Sequence, residues 1–150
     1  MPQLVDLMRR LAVFEDYLDA FAVTEAAVIE AGLGPTPRFG ALVADDGAGR
    51  LLGMAVHYVI PWTFDLRPTL VLKELFVVEE ARGKRIGAAL IAALIAEGHR
   101  IGASRINWTV MAGNHRAEAF YTQAGGEPDR KWLPWSLQLD RADTARAGDR

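Results

Sequence analysis

The sequence predicts an α/β (α+β) fold, a mixed central sheet with helices on both faces, and three observations carry that reading. Apolar residues recur every three or four positions near the start and again past the middle; short runs rich in Val, Ile and aromatics stand between them; and clusters of Gly, Pro and Asp punctuate the chain. At 150 residues the chain has the length of one ordinary domain. Residues 1–140 are read as that domain and 141–150, small and charged, as a flexible tail.

Each element follows from its own pattern. Leu4, Leu7, Met8, Leu11, Phe14, Leu18 and Phe21 repeat at helical spacing with charges between them, which predicts an amphipathic helix over 4–21. Thr24 as cap and Gly32 as stop bound a second, short helix. Phe39–Ala44 and Leu51–Ile60, joined through Asp45-Asp46-Gly47, read as a hairpin, and Leu70–Val78 as a third strand with Lys73 and Glu74 inside it. A helix over 88–100, apolar on both faces, a strand over 106–111, a helix over 114–123 and a last strand over 132–139 complete the order.

Composition excludes several classes of function. A formal charge of -2 supplies no basic field, so neither a nucleic-acid nor an anionic membrane partner is expected. With no cysteine, disulfides, thiolate zinc sites and cysteine nucleophiles are all excluded. His57, His99 and His115 lack ligand spacing, so no metal is expected. The start carries no basic stretch leading into an apolar core, and the most apolar run, 86–96, falls well short of the ~20 residues of a membrane span. It reads as a buried helix in a cytoplasmic protein.

The segment with chemical content is the junction Val77–Ala89, where an apolar strand passes through a loop with two glycines and three cations into a helix start. The first N–H groups of a helix point outward unpaired, its dipole favours anions there, and glycine lets the backbone approach a phosphate closely. Arg82, Lys84 and Arg85 add positive charge to that spot. Taken alone, the stretch fits a plain strand–helix turn with solvated cations equally well. No Gly-Lys-Ser/Thr ending and no Gly-x-Gly-x-x-Gly is present, which sets nucleotide P-loops and dinucleotide folds aside.

Arg82, Gly83, Ile86 and Gly87 resemble the pyrophosphate loop of the GNAT acetyltransferases, Arg-Gly-x-Gly-x-Gly/Ala after a strand ending in Val, with Arg85 in place of the middle glycine. Asn114-His115-Arg116-Ala117-Glu118-Ala119-Phe120-Tyr121, followed by Gly125-Gly126, resembles the same family's Asn-x-x-Ala-x-x-Phe-Tyr-x-x-x-Gly. Leu11-Ala12, Phe14-Glu15, Thr24-Glu25 and Gly32-Leu33-Gly34 resemble landmarks of its diamine (spermidine/spermine) acetyltransferase branch, and Trp108-Thr109-Val110 its strand before the asparagine helix. The likeness runs from about Leu4 to Leu139.

This resemblance implies a mostly antiparallel GNAT sheet, acetyl-CoA as cosubstrate without a metal, a small-molecule primary amine as acceptor, and a homodimer. It also implies roles. Leu75, Phe76, Val77, Arg82, Gly83, Lys84, Arg85, Ile86, Gly87, Ala88, Asn114 and Ala117 would contact the cofactor; Phe14, Glu15 and Lys73 would face the acceptor. Tyr121 is the candidate general acid, and Glu74 the candidate base, with Glu15 or His57 through a water as alternatives. The chain departs from the pattern in two places. The family's first strand has no room ahead of Leu4, and the branch's Glu-Asp pair reads Lys73-Glu74, so that a cation stands where a polyamine would meet a carboxylate. Since neighbouring strand residues face opposite ways, Glu74 can stand in for the missing glutamate only through a bulge or a register change. Two rival readings stay open: a CoA-binding regulatory protein without transferase activity, which Lys73 and Arg85 motivate, and a transferase whose acceptor is a peptide N-terminus, an amino acid or an antibiotic amine.

Overall fold

A computed structural model of the chain describes residues 1–139, in the order α1 (Pro2–Phe14), α2 (Glu25–Leu33), β1 (Gly40–Asp45), β2 (Leu51–Pro61), β3 (Pro68–Val77), α3 (Ile86–Arg100), β4 (Arg105–Asn107) and α4 (His115–Gln123). The four strands form one sheet in sequence order. β1, β2 and β3 pair antiparallel, and β3 with β4 parallel, the crossover between them being α3. The hairpin turn is held by its aspartates: Asp45 Oδ1 accepts from the Gly47 N–H at 2.6 Å, and Asp46 Oδ1 from Ala48 and Arg50.

Alternation along the strands sends side chains into two cores. Met54, Val56 and Phe76 meet Leu4, Leu7, Met8 and Leu11 of α1 on one face. Ala55, Leu70 and Leu72 meet Leu90, Ile91 and Leu94 of α3 on the other. Helices therefore cover both faces, as the periodicities predict. Gln3 ties α1 to the hairpin, its Nε2 donating to the Gly49 carbonyl at 2.9 Å while its Oε1 accepts from the Leu51 N–H at 2.8 Å. α1 begins at Pro2, and among the described residues β1 is an outer strand of the sheet.

Four local expectations need correction. The first helix stops at Phe14 rather than running to Phe21, because Asp16 takes a positive φ of 58° and only a 3₁₀ turn, Leu18–Ala20, follows. α3 is not buried on both sides: Leu90, Ile91, Leu94 and Gly98 are buried, whereas Ala89, Ala92, Ala93 and Ala96 are exposed, alanine being apolar yet costing little at a surface. The strand expected over 106–111 pairs only through Arg105–Asn107. The strand expected over 132–139 does not form, since among the described residues no neighbouring strand lies beside it to complete its hydrogen bonds. The tail expected over 141–150 lies outside the described residues.

Candidate functional site

The site grows from the place where β3 and β4 part. Their pairing ends at Val71 and Asn107, while β3 continues to Val77 along β2, so residues 72–77 of β3 have a free edge. A cleft of about 290 Å³ opens along this edge, with Leu75, Phe76 and Val77 on one side and Trp108, Asn114 and Tyr121 on the other. The expected acceptor contacts Phe14, Glu15 and Lys73 line it too, as does Glu74.

The register explains how Lys73 and Glu74 come to share one cleft. Val56 pairs with Glu74 and His57 with Leu72, so Lys73 is an extra residue in β3 with no partner on β2. Such a bulge turns two consecutive side chains toward one side. It is the distortion that Glu74 requires to take the place of the branch's missing glutamate. Partial burial pushes the Glu74 carboxyl above its ordinary value; Lys73 opposes that shift and Glu15 adds to it. The Tyr121 hydroxyl is likewise raised, by burial first and then by Glu15. Its ring lies 5.0 Å from that of Trp108 and 5.1 Å from that of Phe120, which fixes its direction.

A second cavity, of about 600 Å³, lies over the start of α3 and is lined by Gly83, Arg85, Ile86, Gly87 and Ala88. It shares Val77, Arg82, Gly87 and Phe120 with the cleft, so the two form one continuous groove. Gly83 takes a φ of 80° and Arg85, at the N-cap, a φ of 64°, and no side chain caps the helix. The first-turn N–H groups of a 15-residue helix are thus presented to the groove, with exposed Lys84 and Arg85 beside them. This uncapped helix end with its cations fits a pyrophosphate.

Not every expected residue extends into the groove in the same way. The Arg82 Nε donates to the Val77 carbonyl at 3.2 Å, and its guanidinium lies 5.2 Å from the Phe14 ring and 5.9 Å from the Phe76 ring. Arg82 therefore pins the loop to α1 and β3. Asn114 caps α4, its Oδ1 accepting from the Ala117 N–H at 3.1 Å, which leaves its NH₂ for the cleft. His57 is buried on the α3 side of the sheet with Ala55 and lines neither cavity, so it is removed from the candidate bases. The sequence reading missed Tyr17, whose hydroxyl is raised by burial and then by Glu74 and Glu15, and Arg116, which lines the cleft. The helix break at Asp16 that places Tyr17 carries no proline or glycine to announce it.

Comparison with known proteins defines the class. Residues 5–125 match the family model described as "Acetyltransferase (GNAT) family", and the chain belongs to that family. Among curated proteins it is 30% identical over 93 residues to a D-amino-acid N-acetyltransferase of Saccharomyces cerevisiae, a match covering 61% of this chain and 57% of the yeast enzyme. It is 28% identical to a thialysine N-epsilon-acetyltransferase of Bos taurus, covering 81% of this chain and 75% of that protein. A human spermidine/spermine N(1)-acetyltransferase-like protein matches 83% of this chain at 27% identity, and this chain spans only 19% of it. Among solved structures, an aminoglycoside acetyltransferase from an uncultured soil metagenomic sample superposes with a TM-score of 0.78 at 17% identity, covering 92% of this chain and 89% of that one. That last likeness is one of fold.

Proposed function

We propose that this chain transfers the acetyl group of acetyl-CoA directly to the primary amine of a small molecule. The observation that carries the reading is the continuity of the groove: an uncapped, cation-flanked helix start at one end and the Glu74–Tyr121 cleft at the other, joined along the free edge of β3. Acetyl-CoA, when bound, supplies an activated thioester. The first-turn N–H groups of Ile86, Gly87 and Ala88, with Lys84 and Arg85, hold its pyrophosphate. Free backbone N–H groups within Leu75–Val77 orient the pantetheine arm and polarise the thioester carbonyl, and Asn114 and Ala117 flank that arm.

Three proton movements complete the balance: Glu74 removes one proton of the ammonium acceptor, directly or through one water; Tyr121 delivers its proton to the departing sulfur as the C–N bond forms and the C–S bond breaks; and the second proton lost by the nitrogen restores Tyr121 through solvent. The raised Glu74 pKa suits its task, because that carboxylate is a stronger base than an exposed one; Tyr121, also raised, is protonated at neutral pH.

Lys73 and Arg116 open onto the same cleft as Glu15 and Glu74. That mixed lining favours an acceptor bearing an anionic group near its amine, such as an amino acid, over a polyamine, which would meet Lys73. The amino-acid substrates named for the yeast and bovine relatives support this choice. A thiol-release assay with acetyl-CoA and a panel of amino acids, polyamines and aminoglycosides tests it. Turnover on amino acids with the highest kcat/KM is the expected result. Turnover best on polyamines would overturn the acceptor assignment, and tight CoA binding without turnover on any amine would favour the regulatory rival.

A further inference from the structure

Arg82 stands where the resemblance implies a cofactor contact, yet one of the side chains it holds belongs to the acceptor end. Its Nε donates to the Val77 carbonyl at 3.2 Å, and its guanidinium lies 5.2 Å from the centre of the Phe14 ring and 5.9 Å from that of Phe76. Among the described residues no carboxylate pairs with it. Two aromatic faces and one carbonyl oxygen thus hold a half-buried cation in place of a counter-ion. Arg82 lines both parts of the groove, whereas Phe14 lines only the acceptor cleft.

The end of α1 has little else to fix it. Its buried residues stop at Leu11 and Ala12, and Val13, Phe14, Glu15 and Asp16 are all exposed. The Glu15 and Tyr17 N–H groups donate to the Leu11 and Ala12 carbonyls of the same helix, both at 2.9 Å. Those bonds set the shape of the turn but not its place over the sheet. Among the described residues, the cation–π contact with Arg82 is the one such contact, hydrogen bond or ion pair that joins residues 14–16 to another element. Glu15 lines the cleft, and its charge raises both the Glu74 carboxyl and the Tyr121 hydroxyl, so the place of this turn matters to both groups.

The geometry points to Arg82 as a positioning residue for the acceptor: by holding the Phe14 ring it fixes the last turn of α1, and with it Glu15, at the cleft that Glu74 lines. Its kinetic consequence rests on the acetyltransferase reading. The assignment separates Arg82 from Lys84 and Arg85, the cations proposed to hold the pyrophosphate.

Arg82→Met keeps an apolar stem and removes the cation, and Arg82→Lys returns a cation that can lie over a ring. In Arg82→Met, KM for the amine is expected to rise about fivefold, the size of one such contact, with calorimetric CoA affinity within about twofold of wild type. Arg82→Lys is expected to recover about half of that loss on a logarithmic scale. In a Phe14→Leu background, Arg82→Met is expected to add nothing further. CoA affinity lowered about fivefold with an unchanged KM for the amine, or effects of the two changes that simply add, would overturn the assignment.

Amide exchange on the unliganded chain supplies a readout that needs no turnover. The Glu15 and Tyr17 amides are expected to exchange about fivefold faster in Arg82→Met, while those of Leu7 and Met8, in the buried part of α1, keep their wild-type rates. Equal acceleration at all four amides, the mark of a general loss of stability, overturns the assignment. A wild-type chain that acetylates no amine refutes the acetyltransferase reading, and exchange alone then decides. Faster exchange confined to Glu15 and Tyr17 upholds the hold of Arg82 on the turn, and unchanged rates there overturn it.

Discussion

Lys73 and Glu74 are neighbours in sequence yet open onto one cleft, because β3 carries an unpaired residue between the pairs Leu72–His57 and Glu74–Val56. In a regular strand they would face opposite sides of the sheet. The bulge brings a carboxyl group and a cation together in the cleft, and the proposed acceptor preference rests on that juxtaposition.

Charge reversal at this bulge is expected to reverse acceptor choice. Lys73→Glu should lower kcat/KM for amino acids by about tenfold and raise it for diamines, since one favourable contact becomes a like-charge contact and the reverse, each worth about 1 kcal/mol or more near a protein surface. Steady-state kinetics on lysine and on a diamine of matched length measures the switch.

Glu74→Gln should cut kcat by about 10²-fold, the ordinary contribution of a positioned base. The acid limb of the wild-type pH–rate profile should lie above the ordinary carboxylate value of 4.5 and vanish in the variant. Stability should move the other way. A carboxyl whose pKa is raised on folding stabilises the fold fully below its unfolded value and loses that contribution as pH rises through the folded value. The glutamine variant should therefore show a higher Tm than wild type at pH 7.5 and no gain near pH 4, which thermal scans at the two pH values would reveal.

The loop before α3 holds two residues in the left-handed region, one of them an arginine. Gly83→Ala is expected to cost about 1–2 kcal/mol of stability, because a Cβ is disfavoured there. Arg85→Gly removes the same kind of strain and should stay within about 1 kcal/mol of wild type, on the stabilising side. It should also weaken CoA about two- to fivefold through loss of one cation at the helix start. Urea unfolding and calorimetric CoA titration separate the two effects.

His57 should mark the acid side of the stability curve. Burial holds its imidazole below the ordinary 6.5, and its Nδ1 has no hydrogen-bond partner. A base whose pKa is depressed on folding contributes full stability above its unfolded value and loses it as pH falls through the folded one. Wild type should lose stability between pH 7 and pH 5 more steeply than His57→Leu, as denaturant titrations at both pH values would show.

Much of this architecture is written in the sequence. The core faces of α1 and α3 follow from their spacing, the β1–β2 hairpin from Asp45-Asp46-Gly47, and the cap of α2 from Thr24, whose Oγ1 accepts from Ala27 at 3.2 Å. Glu74, Tyr121, Asn114, Arg82, Gly83 and residues 85–88 line one groove, while Lys84 lines neither of its two parts. What was not legible depends on geometry that periodicity does not encode. The turn at Asp16 breaks an unbroken apolar repeat; His57 falls in phase with Ala55 on the α3 face, away from the cleft; Arg82 packs on Phe14, a residue far away in sequence. The strand expected over 132–139 has the alternation of one, but alternation specifies a face and not a neighbour.

The most direct test of the central claim is single-turnover acetyl transfer to a preferred amine by wild type and by Tyr121→Phe, with CoA affinity measured in parallel. The expected result is a rate at least tenfold lower in the variant with CoA affinity unchanged, the loss being recovered in part with a thioester whose leaving thiol is more acidic. Equal rates for the two proteins would contradict the account, because the hydroxyl of the Tyr121 ring, packed against Trp108 and Phe120, would then have no part in releasing the thiol.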